Sequence, residues 1–224
     1  MIKHLNKAFL AAVILASAVI PGTTNAQTTN VYPVPQSIHW SGKVAFNNDA
    51  TYTITGAGTA DTDAVNLFNR SFSTGNGTVE VIIGERSDEA VAEYADLIPQ
   101  KSEGYYLAIE GNKVVIAGND GSGTFYGVQT FIQIASQPQV MEVTVTDYPS
   151  VPQRGLVEGY YGNPYSKENR MGLFEMFGRQ KMNVYIYGPK DDAYHKSKWR
   201  EEYPATQAAQ ITEYVNAAKA NKVE

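Results

Sequence analysis

The chain of 224 residues has no cysteine. That absence excludes disulfide staples, thiolate nucleophiles and cysteine metal sites, and it leaves stability to a packed core. Histidine is nearly as scarce, at three, one of them (His4) close to the N-terminus, so a zinc site is poorly served. Basic residues are outnumbered, 18 Lys and Arg against 23 Asp and Glu, for a formal charge of -5. Such a balance argues against a nucleic-acid backbone as partner. Long apolar runs are missing as well. The stretch Ala8 to Ile20 falls short of the ~20 residues that a membrane span needs.

What that stretch does resemble is the core of a signal peptide. Lys3 and Lys7 supply a positive start, and Thr24-Asn25-Ala26 supplies small residues at the cleavage positions. With no cysteine behind it, a bacterial lipoprotein anchor is excluded. Residues 1–26 are therefore expected to be removed. The mature chain is expected to start at Gln27 and to be exported, to the periplasm or beyond the cell.

From 27 to 148 the pattern is that of a small α/β domain. Thr51–Ile54 and Val79–Ile83 read as strands, and Asp61 to Phe72 as a helix with Val65, Leu67, Phe68 and Phe72 near one face. Tyr105–Glu110 and Lys113–Ala117 flank Gly111-Asn112, a two-residue loop suited to a tight hairpin. A helix starting near Ser122 runs to Ala135, and Met141–Thr146 alternates as a half-exposed strand. Together these predict one mostly antiparallel sheet with its helices on one face. Gly118-Asn-Asp-Gly-Ser-Gly123 is glycine-rich ahead of a helix but lacks a phosphate-loop lysine, so it reads as a turn and helix start.

After Tyr148-Pro-Ser-Val-Pro152 the pattern becomes alternating β and α. Leu156-Val157 opens a strand. Ser166 is placed to cap a helix, to about Gln180, in which Met171, Phe174 and Phe177 recur every three residues. Met182–Tyr187 is a second strand. Pro204 opens a second helix with a stripe of Ala208, Ile211, Val215 and Ala218, and Asn221-Lys222 reads as its exit, with Val223 beginning a third strand. The fold class is thus α/β: a small α+β domain, then the first two βα units, from 149 to 224, of a (β/α)8 barrel. A whole barrel takes about 250 residues. The chain is accordingly expected to be the N-terminal piece of a longer protein or a truncated product.

Parallel barrels build their sites where the strands end. Glu158 and Gly159 stand at the end of the first strand. Lys190, Asp191 and Asp192 stand just past the second. Gly159 permits close backbone approach by a ligand, or serves with Gly162 only as a tight turn. A buried Glu158 would need a basic neighbour. Adjacent Asp191 and Asp192 invite a glycosidase pair, yet neighbours on extended backbone point to opposite sides, and Asp after Pro is ordinary turn chemistry. His195, beside Tyr194 and near Lys196 and Trp199, is either a general base or a hydrogen-bonding loop residue. Fifteen tyrosines with scattered Asn and Gly suit a carbohydrate-handling surface, as they suit many secreted proteins.

Three strings carry a resemblance: Arg154-Gly-Leu-Val-Glu-Gly-Tyr-Tyr-Gly162, Gly178-Arg-Gln-Lys-Met-Asn-Val-Tyr-Ile-Tyr187, and Pro189-Lys-Asp-Asp-Ala-Tyr-His195 through Lys198-Trp-Arg-Glu201. The chain there resembles glycoside hydrolase family 84, the β-N-acetylglucosaminidases that include hyaluronidase-like enzymes and O-GlcNAc hydrolases. Upstream, Glu103-Gly-Tyr-Tyr-Leu107, Gly123-Thr-Phe-Tyr-Gly-Val-Gln-Thr130 and Asp147-Tyr-Pro149 resemble the small domain that precedes the barrel in this family and in hexosaminidases.

The resemblance implies retaining hydrolysis in which the sugar's own 2-acetamido oxygen attacks the anomeric carbon, an exception to the two-carboxylate scheme. It implies β-N-acetylglucosaminide glycans or glycoproteins as partners and neither cofactor nor metal. The family's catalytic Asp-Asp pair belongs to the end of a fourth strand, so no residue up to Glu224 is assigned a catalytic role, Asp191 and Asp192 included. The substrate-binding residues implied are Gly159, through its backbone, and Lys190, through its ammonium. Tyr160, Gly188 and Ala193 depart from the commoner Phe, Ala and Pro without removing a ligand group. Two readings stay open: part of an active exo-β-N-acetylglucosaminidase, or a non-catalytic exported module that packs or binds glycan.

Overall fold

The computed structural model describes residues 31–159 and 163–224. The expected signal peptide, the start at Gln27, and Tyr160 and Gly162 of the first motif lie outside the described residues.

The first domain is a six-stranded sheet in the order β1-β6-β4-β5-β3-β2. Its strands are β1 (Ser37–Asn47), β2 (Tyr52–Gly56), β3 (Val79–Glu85), β4 (Tyr105–Glu110), β5 (Lys113–Gly118) and β6 (Gln139–Asp147). Three of the five pairings are antiparallel, while β2, β3 and β5 run parallel. The parallel part follows from connectivity, since helix α1 (Thr62–Ser71) carries the chain back between β2 and β3. The predicted hairpin is present: Glu110 pairs with Lys113 across Gly111-Asn112, and Gly111 takes a φ of 53°.

Alternation in β3 decides where the core sits. Val79, Val81 and Ile83 face α1 and α2 (Gly121–Ala135), packing with Phe68, Phe125 and Phe131. Ile82 faces the other way, with Val91, Ile98, Tyr106 and Val115. Both α-helices therefore share one face, as expected. A 3-10 helix, Glu89–Tyr94, covers part of the other and was not foreseen. Strand β1 was also missed. Gly42, at φ 81°, and a register shift between Trp40 and Val44 break the alternation that would have announced it. The glycine-rich turn is a helix start, with Asp120 accepting from Gly123 N–H at 2.8 Å. A side chain at Gly123 would lie 2.1 Å from the Gly104 carbonyl oxygen, so only glycine fits there.

The second unit is β7 (Gly155–Glu158), α3 (Lys167–Arg179), β8 (Val184–Tyr187) and α4 (Ala205–Ala220). Ser166 caps α3 by accepting from Asn169 N–H at 3.2 Å. Strands β7 and β8 are parallel neighbours, with Glu158 opposite Tyr187. Phe174, Phe177, Tyr214, Ala218 and Val223 form the core beneath them. The other edge of β8 is engaged too: Glu224 N–H donates to Asn183 O at 2.9 Å and Tyr185 N–H to Glu224 O at 2.8 Å. Those two bonds flank Val184 in the parallel pattern, while the third strand expected at Val223 is not formed among the described residues. The α4 stripe differs from expectation. Tyr214 and Ala218 are buried, while Ala208 is exposed and Val215 faces an open apolar groove of ≈ 350 Å³ shared with Phe174, Ile211 and Val223. Pro204 precedes the helix as its cap residue and is not within its first turn.

The two units are locked together at the end where β7 and β8 begin. Helices α3 and α4 both close with a Schellman turn whose left-handed residue is a lysine, Lys181 (φ 56°) and Lys222 (φ 60°), where glycine is usual. Each ammonium is spent on the first domain. Lys181 Nζ reaches Asp147 Oδ2 and Tyr105 Oη, both at 2.8 Å, and Lys222 Nζ reaches Asp61 and Asp63, both at 2.8 Å. Glu103, the third non-glycine residue with positive φ among the described residues, accepts from Arg154 and from Asn183 Nδ2.

Candidate active site

The opposite end of the small parallel sheet carries the rim where the sequence placed a site. Gly159 follows β7 directly and is half-buried, with open space where a side chain would stand. Gly188, Pro189 and Lys190 follow β8. Register pairs Glu158 with Tyr187, so the two departures from the sheet lie side by side. Lys190 is exposed, and its carbonyl accepts from Lys196 Nζ at 2.6 Å. Among the described residues its ammonium has no carboxylate partner.

Glu158 does have the basic neighbour its burial demanded. It is 5% exposed, and Arg170, 7% exposed, grips it with two bonds, Nε to Oε2 at 2.9 Å and Nη2 to Oε1 at 2.7 Å. Tyr165 N–H adds a bond to Oε1 at 3.2 Å, and the Tyr185 hydroxyl donates to Oε2. The Arg170 guanidinium also lies 5.1 Å from the Tyr187 ring centre and 5.3 Å from that of Tyr214. Burial alone would raise the Glu158 carboxyl. The bonds from Arg170, Tyr185 and Tyr165, with the guanidinium charge, outweigh it and hold the group below its ordinary value. The side chain packs on the helix layer and is fully committed there.

Sequence reasoning did not single out Arg170. The signal was present: it stands four residues before Phe174 and seven before Phe177, on the buried stripe of α3. A charge on such a stripe demands a partner.

The linkage has a definite sign. A carboxyl whose folded value is depressed adds stability above its unfolded value, here 4.5, and loses it as pH falls through the folded value. Glu158→Gln should therefore lower stability at pH 7 and make the protein less sensitive to acid below pH 4.5 than the parent. Thermal unfolding followed between pH 7 and pH 3 checks this. Parallel curves for the two proteins would refute it.

Asp191 and Asp192 do diverge. Asp191 is exposed, while Asp192 is 4% exposed, accepting from Tyr194 N–H at 2.8 Å and Tyr203 Oη at 3.0 Å. Burial and that bond push the Tyr203 hydroxyl up to about 12. Asp192 therefore pins the loop after β8. His195 Nε2 stands 3.5 Å from Tyr203 Oη and 4.0 Å from Asp192, with its ring beside Tyr187, as a loop residue would. A small polar cavity of ≈ 190 Å³ is lined by Tyr165, Arg170, Tyr187, Asp191, Asp192 and Gln207, and neither Gly159 nor Lys190 lines it. Among the described residues no cluster of three or more acidic or histidine side chains is placed to hold a metal. No helix among them is long and apolar enough to cross a membrane.

Comparison with known proteins matches both halves. The family model described as beta-N-acetylglucosaminidase covers residues 154–224, and that described as glycosyl hydrolase family 20, domain 2, covers residues 28–148. Protein O-GlcNAcase of Rattus norvegicus is 40% identical over 70 residues, 31% of this chain and 8% of that protein. Beta-hexosaminidase of Vibrio vulnificus is 29% identical over 105 residues, 46% of this chain and 12% of that protein. The solved structure of CpGH84B superposes with a TM-score of 0.76 at 35% identity, covering 86% of this chain and 35% of its own. The chain thus spans 35% or less of the length of each of these relatives. Over residues 28–148 the chain belongs to the family described as glycosyl hydrolase family 20, domain 2, and over residues 154–224 it matches the β-N-acetylglucosaminidase model and is similar to CpGH84B.

Proposed function

We propose that this chain supplies the leading part of an exported glycoside hydrolase that removes β-linked N-acetylglucosamine from glycans or glycoproteins. In this reading residues 149–224 open a (β/α)8 barrel. Gly159 and Lys190 hold the terminal sugar, through a backbone group and an ammonium. The sugar's acetamido oxygen attacks its own anomeric carbon, and an Asp pair from a later strand orients that group and transfers the proton. The observation that carries the reading is the register of β7 against β8. Gly159, with open space where a side chain would stand, follows the end of β7, and Lys190, without a carboxylate partner among the described residues, follows the end of the neighbouring β8; parallel barrels bind ligands at such strand ends.

Two further features support it. Val157 and Ile186 are register partners on the sheet face turned away from the helices, yet they are 63% and 52% exposed. Parallel sheets are normally covered on both faces, and in a barrel that face becomes the packed interior. Glu158 and Asp192, the buried carboxylates of the rim, are both bound to neighbours, which suits a chain that contributes contacts and leaves proton transfer to other residues. Export rests on the leader-like run from Ala8 to Ile20.

The test uses the protein that carries this chain with its complete barrel and an aryl N-acetyl-β-glucosaminide. Lys190→Ala should weaken substrate binding by roughly 1.5–3 kcal/mol, the worth of a hydrogen bond to a charged group. Exposed Asp191→Asn should change KM by no more than about twofold. An unchanged KM in Lys190→Ala would remove Lys190 from the sugar site.

A further inference from the structure

We propose that Arg170 is a positioning residue for the sugar-contacting rim. It acts through Glu158 and Tyr187 and itself touches no substrate. The proposal rests on the reading of Gly159 and Lys190 as sugar contacts.

One cation holds the last residues of both strands. Glu158 ends β7 and Tyr187 ends β8, and the two are opposite in register. The guanidinium makes two bonds to the first and packs on the ring of the second, 5.1 Å from its centre. Gly159 leaves the sheet one residue after the gripped carboxylate. Gly188, Pro189 and Lys190 leave directly after the packed ring. A planar fork fixes both oxygens of a carboxylate in a way a single ammonium does not. The same carboxylate takes the Tyr165 N–H, which ties the start of α3 to the end of β7. Tyr185 Oη and Tyr214 Oη complete the cluster, the latter accepting from Arg170 Nη1 at 3.3 Å.

Stability alone does not account for this arrangement. A buried ion pair is often replaced by apolar residues of similar volume without loss, because desolvation offsets its attraction. The neighbouring buried residues on the same helix stripe, Phe174 and Phe177, show that apolar packing suits this layer. A grip at this point supplies geometry: fixed directions for two chain segments that must present groups to one sugar ring. Misplacing such groups by about 1 Å is enough to damage a site.

Three variants separate geometry from stability. Arg170→Met paired with Glu158→Gln removes the grip without stranding a charge. Arg170→Lys keeps the charge and loses the fork. Lys181→Met destabilises from the far end of the unit and serves as the control. On the chain itself, amide hydrogen exchange at Gly159, Gly188 and Lys190 should quicken by about tenfold or more in the double variant and less in Arg170→Lys. In the protein with its complete barrel, KM for an aryl N-acetyl-β-glucosaminide should rise by about tenfold in the double variant, with kcat changed by less than about threefold, the mark of lost uniform binding. Arg170→Lys should fall between, and Lys181→Met should leave KM unchanged. The proposal is overturned if the double variant keeps the parent's KM, or if Lys181→Met raises KM equally. Failure of the unmodified protein to hydrolyse any N-acetyl-β-glucosaminide overturns the functional reading beneath, whereas unaltered exchange in the double variant overturns the grip itself.

Discussion

Lys181→Met should cost about 3–5 kcal/mol of folding stability, the usual penalty for removing one partner of a buried ion pair. Both side chains are enclosed, with Lys181 8% and Asp147 11% exposed, and the ammonium is bonded to Asp147 and Tyr105 at 2.8 Å each. Methionine fills the space of the lysine stem but leaves the carboxylate facing Tyr105 without a counter-charge. Burial already depresses the ammonium, and the Asp147 charge opposes that shift, which is the condition in which each partner depends on the other. The left-handed backbone at 181 is no easier for methionine, so no relief of strain compensates. Adding Asp147→Asn should recover part of the loss, because the amide oxygen can still accept from Gln36 N–H and Tyr148 N–H. Urea titration of the three proteins gives the values. A loss below about 1 kcal/mol in Lys181→Met would mean that the lysine's αL position is unrelated to the lock between the domains.

That lock shows where sequence reading stops. Elements of the first domain were legible because local rules agree there: an Asp cap on each helix, β-branched alternation in β3, and Gly111-Asn112 at the hairpin. Strand β1 was not legible, since Gly42 and the shift after Trp40 erase its period and its pairing partner lies a hundred residues away in β6. Lys181 and Lys222 were not legible either. Each stands where helix-stop chemistry asks for glycine, and the acids that justify them belong to the other domain. At the rim, the strand ends gathered Glu158, Gly159, Lys190, Asp191 and Asp192, a rule of architecture, while the choice of Gly159 and Lys190 among them came from the family resemblance. Arg170 was passed over because a charged residue in a helix usually faces water. Its partner Glu158, flagged as needing a base, lies twelve residues earlier on another element.

The purified polypeptide of 224 residues should give no turnover of an aryl N-acetyl-β-glucosaminide above the uncatalysed background. General acid catalysis requires a carboxyl group that is protonated at working pH and within hydrogen-bond reach of the leaving oxygen. The rim carboxyls among the described residues are bonded to neighbours or open to water. Glu158 is held below its ordinary value by Arg170, Tyr185 and Tyr165 and faces the helix layer. Asp192 is enclosed and accepts from Tyr194 and Tyr203, so both its oxygens serve the loop. Asp191 is exposed to water on the loop after β8. The sheet face bearing Val157 and Ile186 is open to water, which screens charges near it. Binding without turnover is the expected behaviour: weak, saturable contact with N-acetylglucosamine that Lys190→Ala diminishes, read by ligand-observed NMR. Turnover by the purified chain that disappears in Asp191→Asn or Asp192→Asn would reverse the assignment, making that pair the acid and moving the reaction onto the loop after β8.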